Sequence, residues 1–275
     1  MKKVIEMGAR GKYDTRNKLN ELTNKEWIKF TKSWFIHNPP PRRKNEILHP
    51  AKFPETMITE FVEFFTKSKE VVLDPFLGTG STLVACDNCS RKGIGMELMK
   101  KYADVAKERV SKKQKVITGN CQDINQIWGK KKLPKIDFII TSPPYGPMLN
   151  KKIGLIQEKR REEKLDTTYS SEDSDLGNVK DYQEFVDKLV NVFVKIKPML
   201  NKDKYIVVIL QNYTDGGEWR PLAWDFGKAM SKHFRLKGER IWCQNNKTLY
   251  PYGYRWSWVT NVHHHYCLIF KNELD

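Results

Sequence analysis

Val71-Val72-Leu73-Asp74-Pro75-Phe76-Leu77-Gly78-Thr79-Gly80-Ser81-Thr82 joins a short apolar run to a turn with two glycines and then to two hydroxyl residues. An apolar run of this length that ends in an acid predicts a buried strand. Gly78 and Gly80 allow positive φ or a close backbone approach to a ligand. Ser81 and Thr82 suit the start of a helix, whose first N–H groups have no partner within the helix. In nucleotide-binding folds a strand, glycine turn and helix cradle a pyrophosphate, usually with a third glycine. Here the third glycine is missing and Asp74 stands at the strand end. A carboxylate there repels phosphate but suits the ammonium of a zwitterionic amino acid.

On both sides of this unit, apolar periodicity predicts alternating elements. Thr23-x-x-Glu26 is a capping-box pattern that opens a helix through Trp27, Phe30 and Trp34. Residues 35–47 form a proline-rich, basic connector. Met57, Ile58, Phe61, Val62, Phe64 and Phe65 have amphipathic helical spacing. Beyond the glycine turn, strands are expected at 92–97, 115–119, 136–141 and 204–211. The helices are expected at 98–112, 123–128, 180–199 and 219–232, and a strand pair at 235–244 and 263–270 ends the chain. Strands alternating with helices imply parallel pairing and helices on both faces. The last two strands, joined without a helix, imply an antiparallel hairpin.

About 65 residues downstream of the glycine turn, Phe138-Ile139-Ile140-Thr141-Ser142-Pro143-Pro144-Tyr145 runs an apolar strand into two prolines. Consecutive prolines stiffen the backbone and remove N–H donors, leaving a corner rich in acceptors with an aromatic ring beside it. Such a corner suits a planar ring held by its amino group. The bland alternative is a rigid turn at a strand end.

The two segments in this order resemble the DNA amino-methyltransferases of the Ser-Pro-Pro-Tyr type, which methylate N4 of cytosine or, in some relatives, N6 of adenine. The resemblance is good over residues 46–145 and looser elsewhere. It implies a Rossmann-like, seven-stranded methyltransferase sheet, mostly parallel with an antiparallel C-terminal hairpin, and one methyltransferase domain over 1–275. Residues 1–45 would be an N-terminal extension and 146–180 a mobile or recognition insert. The implied cofactor is S-adenosyl-L-methionine. It would be held by His49, Pro50 and Phe53, by Asp74, Pro75, Phe76, Gly78, Gly80 and Ser81 of the turn, and by Thr141. Glu97, at the end of Gly93-Ile94-Gly95-Met96-Glu97, would bind the ribose hydroxyls. Asp123, in Gly119-Asn120-Cys121-Gln122-Asp123, would reach the adenine. As alternatives, His49 is a loop histidine, Glu97 a solvated charge and Asp123 a helix cap. The catalytic set is Ser142, Pro143, Pro144 and Tyr145. The Ser142 side chain and Pro143 carbonyl would accept the two N–H bonds of a flipped-out base, and Tyr145 would stack on it. Ser rather than Asp or Asn before Pro-Pro-Tyr goes with cytosine N4.

Composition agrees with a polyanionic partner. Lys and Arg number 49 against 33 Asp and Glu, a net charge of +16. No apolar run has transmembrane length and no signal peptide is expected, so the location implied is cytoplasmic, with no membrane partner. Double-stranded DNA is the expected partner, with a cognate restriction endonuclease and the oligomeric state left open. Candidate DNA contacts are Arg42 and Arg43 in the connector, Lys151, Lys152, Arg160 and Arg161 in the 146–180 insert, and Tyr254 and Arg255. The last two lie in the aromatic run Tyr250-Pro251-Tyr252-Gly253-Tyr254-Arg255-Trp256-Ser257-Trp258, which suits stacking on bases or packing as an apolar edge. The insert is either a lid that orders over DNA or a solvated loop.

Cys86-x-x-Cys89 lacks a second cysteine pair at zinc-site spacing, and His263-His264-His265 lies in a predicted strand whose neighbours face opposite ways, so no metal is expected. The histidines read as strand residues with a phosphate contact open to them. The chain contains no Pro-Cys, the dipeptide that presents the nucleophilic thiolate in cytosine-C5 enzymes. The remaining alternatives are an adenine-N6 enzyme, an RNA base methyltransferase and a silent DNA-binding subunit.

Overall fold

The computed structural model describes residues 3–39, 53–145 and 175–273. A hairpin of β1 (Val4–Glu6) and β2 (Lys12–Asp14) precedes α1 (Asn24–Phe30) and β3 (Trp34–Ile36). The alternating part follows as α2 (Glu55–Phe65), β4 (Val71–Asp74), α3 (Ser81–Asn88), β5 (Lys92–Glu97), α4 (Lys100–Arg109), β6 (Lys115–Thr118), α5 (Ile124–Lys130), β7 (Ile136–Thr141), α6 (Tyr182–Ile196) and β8 (Leu200–Leu210). A second small hairpin, β9 (Tyr213–Asp215) with β10 (Glu218–Arg220), leads into α7 (Leu222–Met230), β11 (Arg235–Cys243) and β12 (His264–Lys271).

The main sheet has the order β3-β11-β12-β8-β7-β4-β5-β6. β4 through β8 pair in parallel, whereas β12 runs antiparallel to both β8 and β11. The strand order reverses between β4 and β7, and ligands of such sheets bind beyond the carboxyl ends of the strands at this switch. Two antiparallel steps return β11 to the direction of β4. The loop from β11 to β12 therefore opens on the same edge as the ends of β4 and β7.

Successive strand residues face opposite sides of the sheet, and the burial follows that rule. Leu73, Ile139, Val208 and Phe270 pack with Trp128, Phe185, Phe193 and Phe226 of α5, α6 and α7. Val72, Phe138, Ile140, Val207 and Ile209 pack with Phe30, Phe61, Phe65 and Cys86 of α1, α2 and α3. Burying a side chain of this size contributes roughly 1.5–3 kcal/mol, and the two layers fix the sheet between them.

The capping box is present, with the Thr23 hydroxyl accepting from the Glu26 amide and Glu26 accepting from the Thr23 amide at 2.9 Å. The helix it opens ends at Phe30, however, and Trp34 is on a strand rather than on the helix expected from its spacing. Trp34–Ile36 pairs in parallel with Ile241–Cys243, so the sheet has eight strands where seven were expected. The extra strand covers the edge of the hairpin. Arg240 secures this corner: its guanidinium carbon lies 4.0 Å from the Phe30 ring centre and 4.3 Å from that of Phe35, and its Nε donates to the Lys32 carbonyl. The stretch before residue 40 thus supplies a strand and core side chains to the main sheet. No helix among the described residues is long and apolar enough to cross a membrane.

Gly80 caps α3 at φ +91°, and a Cβ added there would stand 3.0 Å from the Ala106 Cβ. Left-handed backbone at a non-glycine residue costs about 1–3 kcal/mol. Gly80→Ala is expected to lower the unfolding free energy by at least that amount in urea titration; unchanged stability would show that α4 yields freely at Ala106.

Candidate active site at the carboxyl edge of the sheet

The end of β4 places the carboxylate of Asp74 in the protein interior. Its Oδ1 accepts from the Thr141 hydroxyl at 2.6 Å and from the Phe76 amide at 3.0 Å, and its Oδ2 accepts from the Thr82 hydroxyl at 2.5 Å. Burial pushes its pKa up while these three donors hold it down. The bonds tie β4 to the end of β7 and to the first turn of α3. A carboxylate has about four lone-pair positions, so one remains for a ligand.

Glu97 ends β5 and reaches back across the turn. Its Oε2 accepts from the Gly78 amide at 2.8 Å and its Oε1 from the Met99 amide at 2.8 Å. Burial raises its pKa to about 7, with the charges of Asp74 and Asp175 adding to the rise and the two amide bonds opposing it.

One cleft of about 920 Å³, open to solvent, is lined by both segments singled out in the sequence. Phe53, Asp74, Pro75, Phe76, Gly78, Ser81 and Glu97 face it from one side, and Ser142, Pro143 and Pro144 from the other. The cleft also takes in Met99, Tyr102, Asn120, Cys121, Asp175 and Leu176, which were not expected. Nothing in the sequence linked Leu176 to the glycine turn, because their approach depends on the path of the chain after Tyr145.

Four expected site residues lie elsewhere. Gly80 packs on α4 and Thr141 is used up on Asp74, so both shape the cleft without facing it. Asp123 closes a 3₁₀ turn that presents Asn120 and Cys121 to the cleft in its place. Tyr145, expected to stack on a base, is 8% exposed with its ring in the core beside Leu176 and Phe185. Its hydroxyl lies 3.4 Å from Ser142 Oγ and 3.3 Å from Nδ1 of His265. His265 is a strand residue of β12, as read from the sequence, and it is half-buried and stacked on Trp242 at 4.5 Å. Strand alternation, which puts His265 on the face of Cys267, was the available signal. His49, Pro50, Arg42, Arg43, Lys151, Lys152, Arg160 and Arg161 lie outside the described residues.

The aromatic run is not packed as an edge. Tyr254 is 70%, Trp256 90% and Trp258 88% exposed. The Arg255 guanidinium sits 5.5 Å from the Tyr254 ring centre. The base of the loop is pinned by Asn261, which both accepts from the Tyr250 amide and donates to the Tyr250 carbonyl at 2.9 Å. Cys86 and Cys89 are buried thiols, and no cluster of three His, Cys, Asp or Glu side chains that could hold a metal gathers among the described residues.

The cleft fits S-adenosylmethionine. The buried Asp74 and half-buried Glu97 carboxylates, with spare lone pairs, suit its ammonium and ribose hydroxyls, and the first amides of α3, which have no partner within the helix, suit its carboxylate. A carboxylate whose pKa rises from 4.5 to about 7 on folding favours the folded state below the lower value and loses that contribution as pH climbs through the higher one. The stability of the wild type relative to Glu97→Gln is therefore expected to fall between pH 5 and 7.5 in urea titrations without ligand. A difference that stays flat with pH would place the Glu97 pKa near its ordinary value.

Comparison with known proteins agrees with this geometry. A DNA methylase family, N6_N4_Mtase, matches residues 4–108. The type II methyltransferase M.BglII of Bacillus subtilis is 35% identical over 78 residues, which is 28% of this chain and 22% of that protein. The type II methyltransferase M.HpaI of Haemophilus parainfluenzae is 36% identical over 67 residues, 24% of this chain and 21% of its own. The matched part thus spans about a fifth of each relative. Among solved structures, TrmN from Thermus thermophilus aligns over 79% of this chain and 47% of its own with a TM-score of 0.47 and 10% identity. Over residues 4–108, which include the Asp-Pro-Phe-x-Gly-x-Gly turn of the cleft, the chain is thus similar to the N6/N4 DNA methylases.

Proposed function

We propose that this protein methylates an exocyclic amine of a base in double-stranded DNA, with N4 of cytosine as the target and S-adenosylmethionine as the donor. The supporting observation is that Asp74 and Glu97 share a single cleft with Ser142 and Pro143. The donor-side and acceptor-side groups of a direct transfer are thereby next to each other. The setting we infer is cytoplasmic DNA modification, beside a restriction endonuclease or in protection of DNA; the names of the two type II relatives support it.

An exocyclic amine conjugated to its ring is a poor nucleophile because its lone pair is delocalised. Ser142 Oγ and the Pro143 carbonyl accept the two N–H bonds, draw the nitrogen toward tetrahedral geometry and localise the lone pair. Asp74 and Glu97 hold the donor on the opposite side of the cleft. S-adenosylmethionine, when bound, supplies an electrophilic methyl group on sulfur. Alignment of two reactants in one site supplies up to about 7–11 kcal/mol of barrier reduction. The target nitrogen is out of reach in a stacked duplex, so the base leaves the helix at a cost of a few kcal/mol. The net charge of +16 draws the polyanion in, and Tyr254, Arg255, Trp256 and Trp258 offer open aromatic faces and a cation at the same edge of the sheet.

Incubation with duplex DNA and labelled S-adenosylmethionine, followed by nucleoside analysis, is expected to give N4-methylcytosine. N6-methyladenine alone would move the target to adenine, label in RNA alone would make this an RNA enzyme, and failure to bind the donor would end the enzymatic reading. Ser142→Ala is expected to lose methyl transfer by about 100-fold or more, in line with what misplacing reacting groups costs, while donor affinity stays the same. Trp256→Ala and Trp258→Ala are each expected to weaken DNA binding by roughly 1–3 kcal/mol if a base stacks there, and unchanged affinity for both would remove the loop from the DNA interface.

A further inference from the structure

The geometry points to His265 as a positioning residue that fixes Ser142 as a hydrogen-bond acceptor toward the target amine. The inference rests on reading the cleft as an amino-methyltransferase site.

Ser142 Oγ, the Tyr145 hydroxyl and His265 Nδ1 form a chain with steps of 3.4 and 3.3 Å. Both steps are at the long end of hydrogen bonding, as such contacts commonly are before substrate arrives. Each hydroxyl has one proton to give, so the chain has two senses. With Nδ1 unprotonated, Tyr145 donates to His265 and Ser142 donates to Tyr145. Ser142 then spends its only proton inward and turns its lone pairs to the cleft, which suits an N–H of cytosine or adenine and repels the keto oxygen of thymine or guanine. With a proton on Nδ1 the chain reverses. Tyr145 then donates to Ser142, whose own proton turns into the cleft and opposes an amine.

The surroundings disfavour a doubly protonated ring, which would force the second sense. His265 is half-buried and stacked on the Trp242 face, the rings 4.5 Å apart and 22° from parallel. Trp242 is itself fixed by its Nε1, which donates to the His37 carbonyl at 2.7 Å. Burial, with the nearby charges of Lys247 and His264, lowers the His265 pKa to about 3, so the ring is neutral. Burial also raises the Tyr145 pKa, so the phenol keeps its proton. A neutral imidazole keeps one N–H, and in the tautomer we infer it sits on Nε2, so that Nδ1 accepts the tyrosine proton. The chain also gives a reason for Tyr145 to lie in the core: its hydroxyl relays polarity from β12 to the catalytic corner.

The test compares His265→Phe, which keeps a ring against Trp242 but removes the acceptor, with Tyr145→Phe, the double variant and His265→Asn. Each single phenylalanine variant is expected to lower kcat roughly 10- to 100-fold, with KM for DNA and Kd for the donor unchanged. The double variant should be no slower than either single one, because both break the same chain. His265→Asn, whose Oδ1 can take the tyrosine proton, should recover part of the loss. In the free protein at neutral pH, the 15N signal of His265 Nδ1 should be that of an unprotonated nitrogen and should move in Tyr145→Phe. A protonated Nδ1, wild-type kcat in His265→Phe, or additive losses in the double variant would overturn the inference. A wild-type protein that transfers no methyl group to DNA would instead overturn the proposed function, and the nitrogen signal would still decide the hydrogen-bond chain.

Discussion

Three donors converge on the carboxylate of Asp74, from the Thr141 hydroxyl, the Thr82 hydroxyl and the Phe76 amide. Placing a carboxylate in the interior is costly unless its lone pairs are bonded, and here each bond comes from a different part of the site. Thr141 is the last residue of β7, Thr82 lies in the first turn of α3, and Phe76 starts the glycine turn. Satisfying one buried charge thus sets the spacing between the glycine turn and the Ser-Pro-Pro-Tyr corner. Loss of any one donor leaves the charge underbonded and loosens two elements together.

Sheet order explains why these parts can meet. The switch between β4 and β7 opens a crevice in which the turn after β4 and the corner after β7 face each other. The antiparallel insertion of β12 beside β8 then brings the β11–β12 loop to the same edge. Consequently His265, 120 residues away in sequence, touches Tyr145. Residues after four strands, β4, β5, β6 and β7, line one cleft without any of them belonging to a separate domain among the described residues.

The parts legible in the sequence were those encoded by local pattern. The strand and glycine turn at Val71–Thr82, the strand at Ile136–Thr141 and the acid at the end of β5 are short-range signals of apolar run, turn chemistry and strand end, and they fall where the cleft is. What escaped was set by tertiary pairing. A three-residue strand at Trp34–Ile36 carries no period of its own, and its apolar residues continue the helical spacing of Trp27 and Phe30. Only the register with Ile241–Cys243 makes it a strand. The same holds for Tyr145, an aromatic beside a catalytic corner that reads as a stacking platform until the core beneath it is seen.

Charge is divided across the molecule in a way that sorts its ligands. The chain as a whole carries +16, yet the cleft gathers the carboxylates of Asp74, Glu97 and Asp175. Burial raises the pKa of Glu97 and the charges of Asp74 and Asp175 add to the rise; acids gathered in this way disfavour a phosphate inside the crevice and favour a cationic small molecule. In the function proposed above, a polyanion is therefore drawn to the protein but kept at the rim. Under the proposed function, what passes between the two regions is an uncharged base, to which Ser142, with its proton turned toward Tyr145, offers an acceptor rather than a donor. Long-range attraction, exclusion of phosphate and the polarity of one hydroxyl then act in sequence, each on a shorter length scale than the one before.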